Sequence, residues 1–295
     1  MKKSITYYLT LSVIKLKGVK KAFSQSPIDY KKLRKEDVIL PRTNFFKKQN
    51  VQSFPVLETL ITEIKSTQTS EELLIYIHGG AFVSGPAQHH WDSLKEIAKK
   101  TQQTIWMCNY PKAPENTIAD ISKNIDAVYQ QALKSFKSNQ ITLMGDSVGG
   151  TLATTLTQRL VQNNSALPKK LILISPVMDA TLSNKDIDTI DKTDPMLSKA
   201  GVLSAKMMCA GNTDLKNELM SPLYGSFQQF PKTILFLAEN DITYPDQQLA
   251  VQKLKKANVI VKIIFGEDMP HIWPLLPVMK EAKDALKQTI HAINN

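Results

Sequence analysis

A serine framed by glycines, where a strand ends and a helix begins, constrains the fold of this chain more than any other feature. The segment ITLMGDSVGGTLATTL (residues 141–156) reads as an apolar strand, the pentapeptide GDSVG and a helix. In a G-x-S-x-G pattern, a sharp strand-to-helix turn exposes the serine hydroxyl. Small residues are required because the two backbones nearly touch. We therefore predict that Ser147 is a nucleophile, held by the structural residues Gly145, Asp146 and Gly149.

A serine hydroxyl attacks efficiently only when a base takes its proton and a third group orients that base. Among the five histidines, His271 lies in a loop after the last predicted strand, where an α/β sheet assembles its site. His291 falls inside the final helix, and His89 and His90 are expected to face solvent at a helix start. We predict His271 as the base.

Two aspartates are candidates for the orienting acid because each follows a predicted strand. Asp241 lies in ILFLAENDITYPD, one strand before His271, and Asp179 lies in LILISPVMD, one strand earlier. Either position is geometrically possible. The order Ser147, Asp241, His271 is the chain order of α/β-hydrolase triads, so Asp241 is preferred and Asp179 is the alternative.

The segment LIYIHGGAFVSG leaves an apolar strand through residues with little or no side chain. Such a turn presents backbone N–H groups, and attack by a serine creates an oxyanion that needs two or three such donors. The predicted oxyanion hole is formed by Gly79, Gly80, Ala81 and Val148. Within it, Gly79 allows close approach and the other three donate. His78 is expected to be structural.

Beyond residue 50, short apolar runs rich in β-branched residues alternate with longer amphipathic stretches. The predicted strands are Leu73–Ile77, Thr104–Cys108, Ile141–Met144, Leu171–Ile174, Thr233–Leu237 and Val259–Phe265. The predicted helices are about Asp92–Thr101, Ile118–Ser135, Val148–Gln162, Asp246–Ala257 and Val278–Ile293. Residues 54–66 are expected to add one or two antiparallel edge strands. The pattern predicts an α/β fold with a mostly parallel sheet of about eight strands and helices on both faces.

No strand is predicted between Val177 and Phe230, and so long a connection usually serves a site, often as a lid. No internal repeat, low-complexity tract or linker divides the chain. We therefore predict a single domain over residues 1–295. The two cysteines, Cys108 and Cys209, are expected to be reduced core thiols, and a cytoplasmic location is expected from them.

The net charge of +10 belongs to the first part of the chain. Residues 1–48 hold thirteen Lys and Arg against three acidic residues, and the remainder balances at 24 of each sign. No basic stripe with interleaved aromatic residues recurs in the body of the chain. This distribution argues against nucleic acid as a partner.

The basic start of the chain, MKKSITYYLTLSVIKLKGVKKAF, is not predicted to be a signal peptide or a membrane span. Its apolar run is short and interrupted by lysines, and it lacks a small-x-small cleavage site. Apolar residues recur at helical spacing: Ile5, Leu9, Val13, Leu16, Val19 and Phe23. We expect this stripe to pack on the rest of the chain as part of a cap. Contact of the basic helix with an anionic membrane is the alternative.

Taken together, HGGAF, GDSVGG, LAENDI and MPHIW resemble the motifs of the hormone-sensitive lipase family of bacterial esterases, in that family's order. The segment NYPKAPENTIADISKNIDAVYQQAL resembles the family's D-Y-R-L-A-P-E segment and the helix after it. The segments DPMLSKAG and MSPLYGSFQQFPKTILFL resemble its cap and its approach to strand seven. The similarity covers roughly residues 55–290.

This resemblance implies an α/β-hydrolase fold with a helical cap from about 1–48 and the insertion 177–230. It also implies hydrolysis of carboxylic esters, commonly of short acyl chains, with no cofactor and no metal. Three departures bear on substrate choice: Ala81 replaces a third glycine, Asn109 and Pro111 replace the family's Asp and Arg, and the N-terminal part is unusually basic.

The predicted function is hydrolysis of small-molecule carboxylic esters, through an acyl-enzyme formed by a Ser-His-Asp triad. An amidase or peptidase with the same triad is one alternative. A ligand-binding protein without activity, built on a hydrolase fold, is the other.

Overall fold

The computed structural model describes residues 3–41, 43–48, 51–65 and 71–295. Lys2 and Arg42 of the basic segment, and Ser66 of the predicted edge strands, lie outside these described residues. Within them, eight strands form one sheet. The strands are β1 Val51–Val56, β2 Thr59–Ile64, β3 Leu73–Ile77, β4 Thr104–Asn109, β5 Ile141–Asp146, β6 Lys170–Ile174, β7 Lys232–Asn240 and β8 Val261–Pro270.

Helices connect most of these strands. The described α-helices are α1 Ile5–Leu16, α2 Val19–Ala22, α3 Tyr30–Leu33, α4 Asn44–Lys48, α5 Gln88–Lys100, α6 Ile118–Ala132, α7 Val148–Gln162, α8 Ile187–Ile190, α9 Lys199–Ala210, α10 Tyr244–Lys256 and α11 Lys280–Asn294. Four short 3₁₀ helices are described at Arg34–Glu36, Ser138–Gln140, Pro222–Tyr224 and Trp273–Leu275. Every predicted strand and helix is present, with ends shifted by a few residues. None of the described helices is both long and apolar enough to cross a membrane.

The sheet has the strand order β1-β2-β4-β3-β5-β6-β7-β8. Strand β2 pairs antiparallel with β1 and β4, and every other neighbouring pair is parallel. The central strands β3 and β5 are buried along their whole length, because helices cover both of their faces. This double burial explains their continuous apolar sequences. The prediction of a mostly parallel sheet with antiparallel strands at one edge is confirmed.

Two hydrophobic cores lie on opposite faces of the sheet. Helices α6, α7 and α10 contribute to one core, and α5, α11 and α1 contribute to the other. Helix α7 is buried throughout Val148 to Gln158. Its threonines remain compatible with burial because their hydroxyls donate to carbonyl groups, as Thr151 does to Val177 at 2.6 Å. Residues that follow the parallel strands therefore meet at one edge of a rigid sheet.

The N-terminal segment packs against α9, although the two are far apart in the sequence. A Cβ atom on Gly201 would lie 1.8 Å from the carbonyl oxygen of Phe23, so only glycine fits this contact. The backbone N–H of Ile28 donates to the Ser204 hydroxyl at 2.9 Å. These contacts join the two segments that the sequence analysis assigned to a cap.

The expected packing of the N-terminal apolar stripe is wrong for its first four members. The exposed residues of the stripe are Ile5, Leu9, Val13 and Leu16. The buried face of α1 consists of Tyr7, Thr10 and Ile14. Gly18 accounts for part of the difference, because its left-handed backbone (φ 65°) separates α1 from α2, so the stripe does not continue along a single helix.

Lys206 of α9 is a buried cation without a hydrogen-bond acceptor for its Nζ within the described part of the chain. Its Nζ lies 4.3 Å from the centre of the Phe82 ring. Burial lowers the pKa of Lys206 to about 7. Because the folded chain holds this proton less tightly than the unfolded chain does, the free energy of unfolding rises with pH between about 7 and the ordinary lysine pKa of 10.5.

Replacing this lysine by an apolar side chain of similar length should stabilise the protein. We expect Lys206→Met to raise the free energy of unfolding at pH 7 by about 1–3 kcal/mol, because an unpaired buried ammonium is costly. The gain should shrink as pH approaches 10. Denaturant unfolding at several pH values measures both effects, with the exposed Lys255→Met as control. A loss of stability at neutral pH would mean that Lys206 is favourably paired.

Candidate active site

Ser147 lies at the turn between β5 and α7 in a sparsely populated backbone conformation. Its φ of 52° and ψ of −122° are unusual for a residue with a side chain, and such strain persists where surrounding structure enforces it. A Cβ atom on Gly145 would lie 2.4 Å from the carbonyl carbon of Gly149. A Cβ atom on Gly149 would lie 1.9 Å from the carbonyl oxygen of Ile77 in β3. Neither position leaves room for a Cβ atom, because each glycine lies against backbone atoms.

The turn after β3 rests directly on this strand-to-helix turn. A Cβ atom on Gly79 would lie 2.3 Å from Asp146 Oδ2 and 3.0 Å from Ser147 Cβ. The backbone N–H of Gly79 donates to Asp146 Oδ1 at 3.0 Å. Gly79 therefore allows the close approach, but its own amide is already occupied and is not free to bind an oxyanion.

The backbone amides of the two residues after Gly79 are not occupied in this way. The N–H groups of Gly80 and Ala81 have no acceptor among the described residues. Gly80 has a φ of 115° and Ala81 a φ of 56°. The left-handed conformation costs a residue with a Cβ atom about 1–2 kcal/mol, which is the physical reason that glycine suits the position of Ala81. Val148 is the first residue of α7, where a helix N–H has no intrahelical acceptor.

Asp146 is the buried centre of this part of the site. Besides Gly79, its carboxylate accepts a 2.6 Å hydrogen bond from the Tyr76 hydroxyl and lies 3.4 Å from His90 Nε2. Burial alone raises its pKa, but His90, Tyr76 and His89 outweigh burial and hold the pKa of Asp146 well below the usual range. The carboxylate is therefore charged at neutral pH.

The expectation that both histidines at the start of α5 face solvent is wrong. His90 is buried, and His89 is half-buried with its pKa lowered to about 3, mainly by burial and then by His90. The Nδ1 atom of His90 accepts a 2.8 Å hydrogen bond from the N–H of Ala87. Since Ala87 has no side chain that could cap the helix, His90 performs this role three residues later.

His78 is buried and packs against Tyr110. Its ring stacks on Tyr110 with centroids 4.4 Å apart, and the Tyr110 hydroxyl donates to the His78 carbonyl at 2.9 Å. Burial lowers the pKa of His78 well below its usual range. In the same region, Lys112 Nζ donates to Asn109 Oδ1 at 2.6 Å.

The N-terminal segment braces the same turn from outside. Arg34 Nε donates to the carbonyl of Val83 at 2.7 Å, and the Gly85 N–H donates to Asp37 Oδ1 at 2.6 Å. The side chains of Arg34 and Asp37 thus hold the backbone of the segment that follows Gly80, at Val83 and at Gly85. These two contacts are not recognisable in the sequence, because they join residues about fifty positions apart.

His271 and Asp241 are hydrogen-bonded at the ends of β8 and β7. The distance between His271 Nδ1 and Asp241 Oδ2 is 2.7 Å, with Nδ1–H as donor because a carboxylate only accepts. The other carboxylate oxygen accepts from the Thr243 N–H and hydroxyl, both at 2.8 Å. Asp241 is therefore held rigidly in contact with the imidazole.

The charge around His271 favours its protonated form. Burial by itself lowers the pKa of His271, but Asp241, Asp194 and Asp146 together raise it above the ordinary value. Asp194 was missed in the sequence analysis. Its Oδ2 accepts from the Ile242 N–H at 2.9 Å, and burial followed by the charge of Asp241 raises the pKa of Asp194 to about 6.

Asp179, the alternative acid, is bound to other groups. Its Oδ1 accepts from the Thr181 N–H at 2.8 Å, and the Ser221 hydroxyl lies 3.3 Å from the same oxygen. Its Oδ2 accepts from the Tyr224 hydroxyl at 3.1 Å. These partners belong to the connection between β6 and β7. They give Asp179 a role in holding that connection together.

Ser147 and His271 are linked through the end of β6. The Ser147 N–H donates to Ile174 at 2.8 Å, and the hydroxyl of the next residue, Ser175, accepts from the Ile272 N–H at 3.1 Å. No hydrogen bond joins the Ser147 hydroxyl to the His271 ring in the described structure. Such contacts commonly tighten only when substrate binds. Both residues are nearly enclosed, at 8% and 3% exposure.

Three features identify the chain as an α/β-hydrolase. They are the strand order of the sheet, the strained backbone of the serine after β5, and the hydrogen-bonded His–Asp pair after β8 and β7. Comparison with known proteins agrees. The family described as having the alpha/beta hydrolase fold matches residues 74–275. An esterase of Acinetobacter venetianus is 31% identical over 230 residues, which cover 76% of this chain and 75% of that protein. The chain therefore belongs to the α/β-hydrolase family.

Solved structures share the fold. A putative esterase from Staphylococcus aureus superposes with a TM-score of 0.80 and 28% identity, covering 97% of this chain and 91% of the other. An esterase from the bacterial hormone-sensitive lipase family gives a TM-score of 0.88 at 22% identity, covering 100% and 99%. The resemblance to hormone-sensitive-lipase-like α/β-hydrolases is confirmed.

The geometry of the two aspartates leads to a paired prediction. Asp241→Asn should reduce kcat for p-nitrophenyl acetate on the order of 10⁴-fold, because the imidazole loses the carboxylate that sets its tautomer. Asp179→Asn is the matched control and should change kcat less than about tenfold, since Asp179 does not contact His271. Thermal unfolding of both variants establishes that they are folded. The reverse order of losses in folded variants would assign the role to Asp179.

Proposed function

We propose that this chain hydrolyses carboxylic esters with short acyl chains through an acyl-enzyme on Ser147, with His271 as base and Asp241 as orienting acid. The chain is a carboxylic ester hydrolase of the α/β-hydrolase fold. The observation that supports the proposed triad is the 2.7 Å hydrogen bond between His271 and Asp241, which lies at the same edge of the sheet as the strained Ser147.

In the acylation step, His271 Nε2 takes the proton of the Ser147 hydroxyl as Oγ bonds to the ester carbonyl carbon. The carbonyl oxygen becomes an oxyanion, to which the free amides of Gly80 and Ala81 and the first helical amide, Val148, donate. The negative Asp241 stabilises the imidazolium. When the carbonyl reforms, the bond to the alcohol oxygen breaks and His271 returns the proton to that oxygen.

Deacylation repeats these roles with water. His271 takes a proton from a water molecule, whose oxygen bonds to the acyl carbon, and then returns the proton to Ser147 Oγ as the acid leaves.

The proposed role of His271 as a base makes turnover depend on pH, because only the neutral imidazole accepts a proton. Because neighbouring carboxylates raise the pKa of His271, turnover should fall with decreasing pH from a point above the ordinary histidine value of 6.5.

The short-acyl part of the proposal rests on how enclosed the site is. Ser147 and His271 are almost fully buried beneath the surrounding segments. Ala81 adds a methyl group to the turn that carries two of the donor amides. The N-terminal segment, which packs on α9, contacts the same region through hydrogen bonds of Arg34 and Asp37. These features favour a bounded acyl pocket.

Removing the nucleophile tests the proposal most directly. Ser147→Ala should lower kcat by about three to six orders of magnitude, because the covalent route is lost. The wild-type protein should gain one fluorophosphonate adduct by intact-mass analysis, and Ser147→Ala should gain none. The exposed Ser183→Ala is the control and should retain both activity and labelling. Retention of more than about a tenth of kcat by Ser147→Ala would refute the proposed role of Ser147.

The acyl pocket makes a separate prediction. Across p-nitrophenyl esters from acetyl to palmitoyl, kcat/KM should peak at or below hexanoyl and then fall. Each buried methylene contributes about 0.8 kcal/mol until the pocket runs out of depth. A value that kept rising through dodecanoyl would show that the pocket is open to long chains and would exclude the short-acyl proposal.

A further inference from the structure

Helix α1 presents an apolar face to solvent. Ile5 and Leu16 are 79% and 86% exposed, and Leu9 between them is 55% exposed. Tyr8 and Val13 complete the same face, because residues three or four apart along a helix lie on one side. The helix is attached through its other side, where the Tyr7 hydroxyl donates to the carbonyl of Asp268 at 3.0 Å. The helix is therefore anchored, yet its exposed face lacks a cover among the described residues.

The charged side chains in the part of the sequence that contains α1 are all positive. The first 28 residues contain six lysines and no acidic residue. Lys15 and Lys17 flank the apolar face and are exposed, as is Lys21 in α2. Acidic residues of β8 lie at the start of α1, where Lys3 pairs with Glu267 and Asp268 at 3.3 Å each.

At the same end, Glu281 of α11 accepts from the N–H and hydroxyl of Ser4 at 2.7 and 2.8 Å. Its carboxylate is therefore bound to the start of α1, away from the lysines at the other end. The neighbouring Lys280 is exposed and adds to the positive charge. These three carboxylates are thus held at the start of α1, and the exposed Lys15 and Lys17 lie at its other end.

We propose that α1 binds the surface of an anionic phospholipid bilayer. A helix with an apolar face and lysines beside it lies in the plane of such a surface, with its apolar side chains among the headgroups. Charge selects this occupant over a second copy of the chain, since a symmetric contact would bring the exposed Lys15, Lys17 and Lys21 of one copy near those of the other. Because Asp268 is three residues before His271, binding through α1 places the candidate active site close to the bilayer.

The full-length protein can be tested by sedimentation with vesicles of mixed phosphatidylglycerol and phosphatidylcholine, and with vesicles of phosphatidylcholine alone. We expect partition into the anionic vesicles only, and a decrease with added salt. Lys15→Gln/Lys17→Gln should weaken binding roughly thirty-fold, at about tenfold per 1.4 kcal/mol and about 1 kcal/mol for each lysine. Leu9→Ser/Leu16→Ser should weaken it about tenfold or more.

Matched controls use exposed residues elsewhere. Lys134→Gln/Lys137→Gln removes the same charge after α6, and Leu57→Ser removes an exposed leucine at the β1–β2 turn, the opposite edge of the sheet. Both controls should bind vesicles as the wild type does. All variants should retain ester hydrolysis in solution, because none of these residues belongs to the candidate active site.

Three results would overturn the proposal. The first is equal binding to anionic and uncharged vesicles, or to neither. The second is loss of binding in the lysine variant while Leu9→Ser/Leu16→Ser binds normally, which would indicate a purely electrostatic contact. The third is a dimer, detected by sedimentation velocity, that Leu9→Ser/Leu16→Ser dissociates, which would assign the face to a second copy of the chain.

Discussion

The buried carboxylate of Asp146 is the interaction on which the geometry of the site depends. It joins three elements that meet beside Ser147: the turn at Gly79, the strand that carries Tyr76 and the helix that carries His90. A buried charge is tolerated only when its lone pairs are satisfied, so each partner is drawn to a defined position. The turn that offers free amides is thereby fixed relative to Ser147. Catalysis by fixed dipoles requires such preorganisation.

A second group of carboxylates organises the other half of the site. Asp241 holds His271, and Asp194 holds the backbone of the residue after Asp241. Lys20 of the N-terminal part donates to the backbone carbonyls of this loop, including that of Asp194 at 2.8 Å. The N-terminal segment therefore contacts both halves of the site. Its helix α1 also has an exposed apolar face. In our proposals, the side of the N-terminal segment that contacts the site helps to enclose the acyl pocket, and the exposed face of α1 binds the bilayer.

Several features could be predicted from sequence because they are local. The GDSVG turn needs glycine at positions 145 and 149 for steric reasons that hold wherever a strand turns sharply into a helix. Burial of strands on both faces requires continuous apolar runs, which located the central strands. The burial of His90 was not predicted, because its partner Asp146 is 56 residues away.

The sequence by itself determined the fold class, the strand and helix positions and the candidates Ser147, Asp241 and His271, since periodicity and turn chemistry depend on neighbours along the chain. The tertiary structure decided which aspartate reaches His271, which glycine amide is already occupied and which face of α1 is buried. These outcomes depend on contacts between distant segments, such as Gly201 against the carbonyl of Phe23. A helix with two plausible apolar faces buries the one that fits its neighbours, and spacing along the chain does not specify those neighbours.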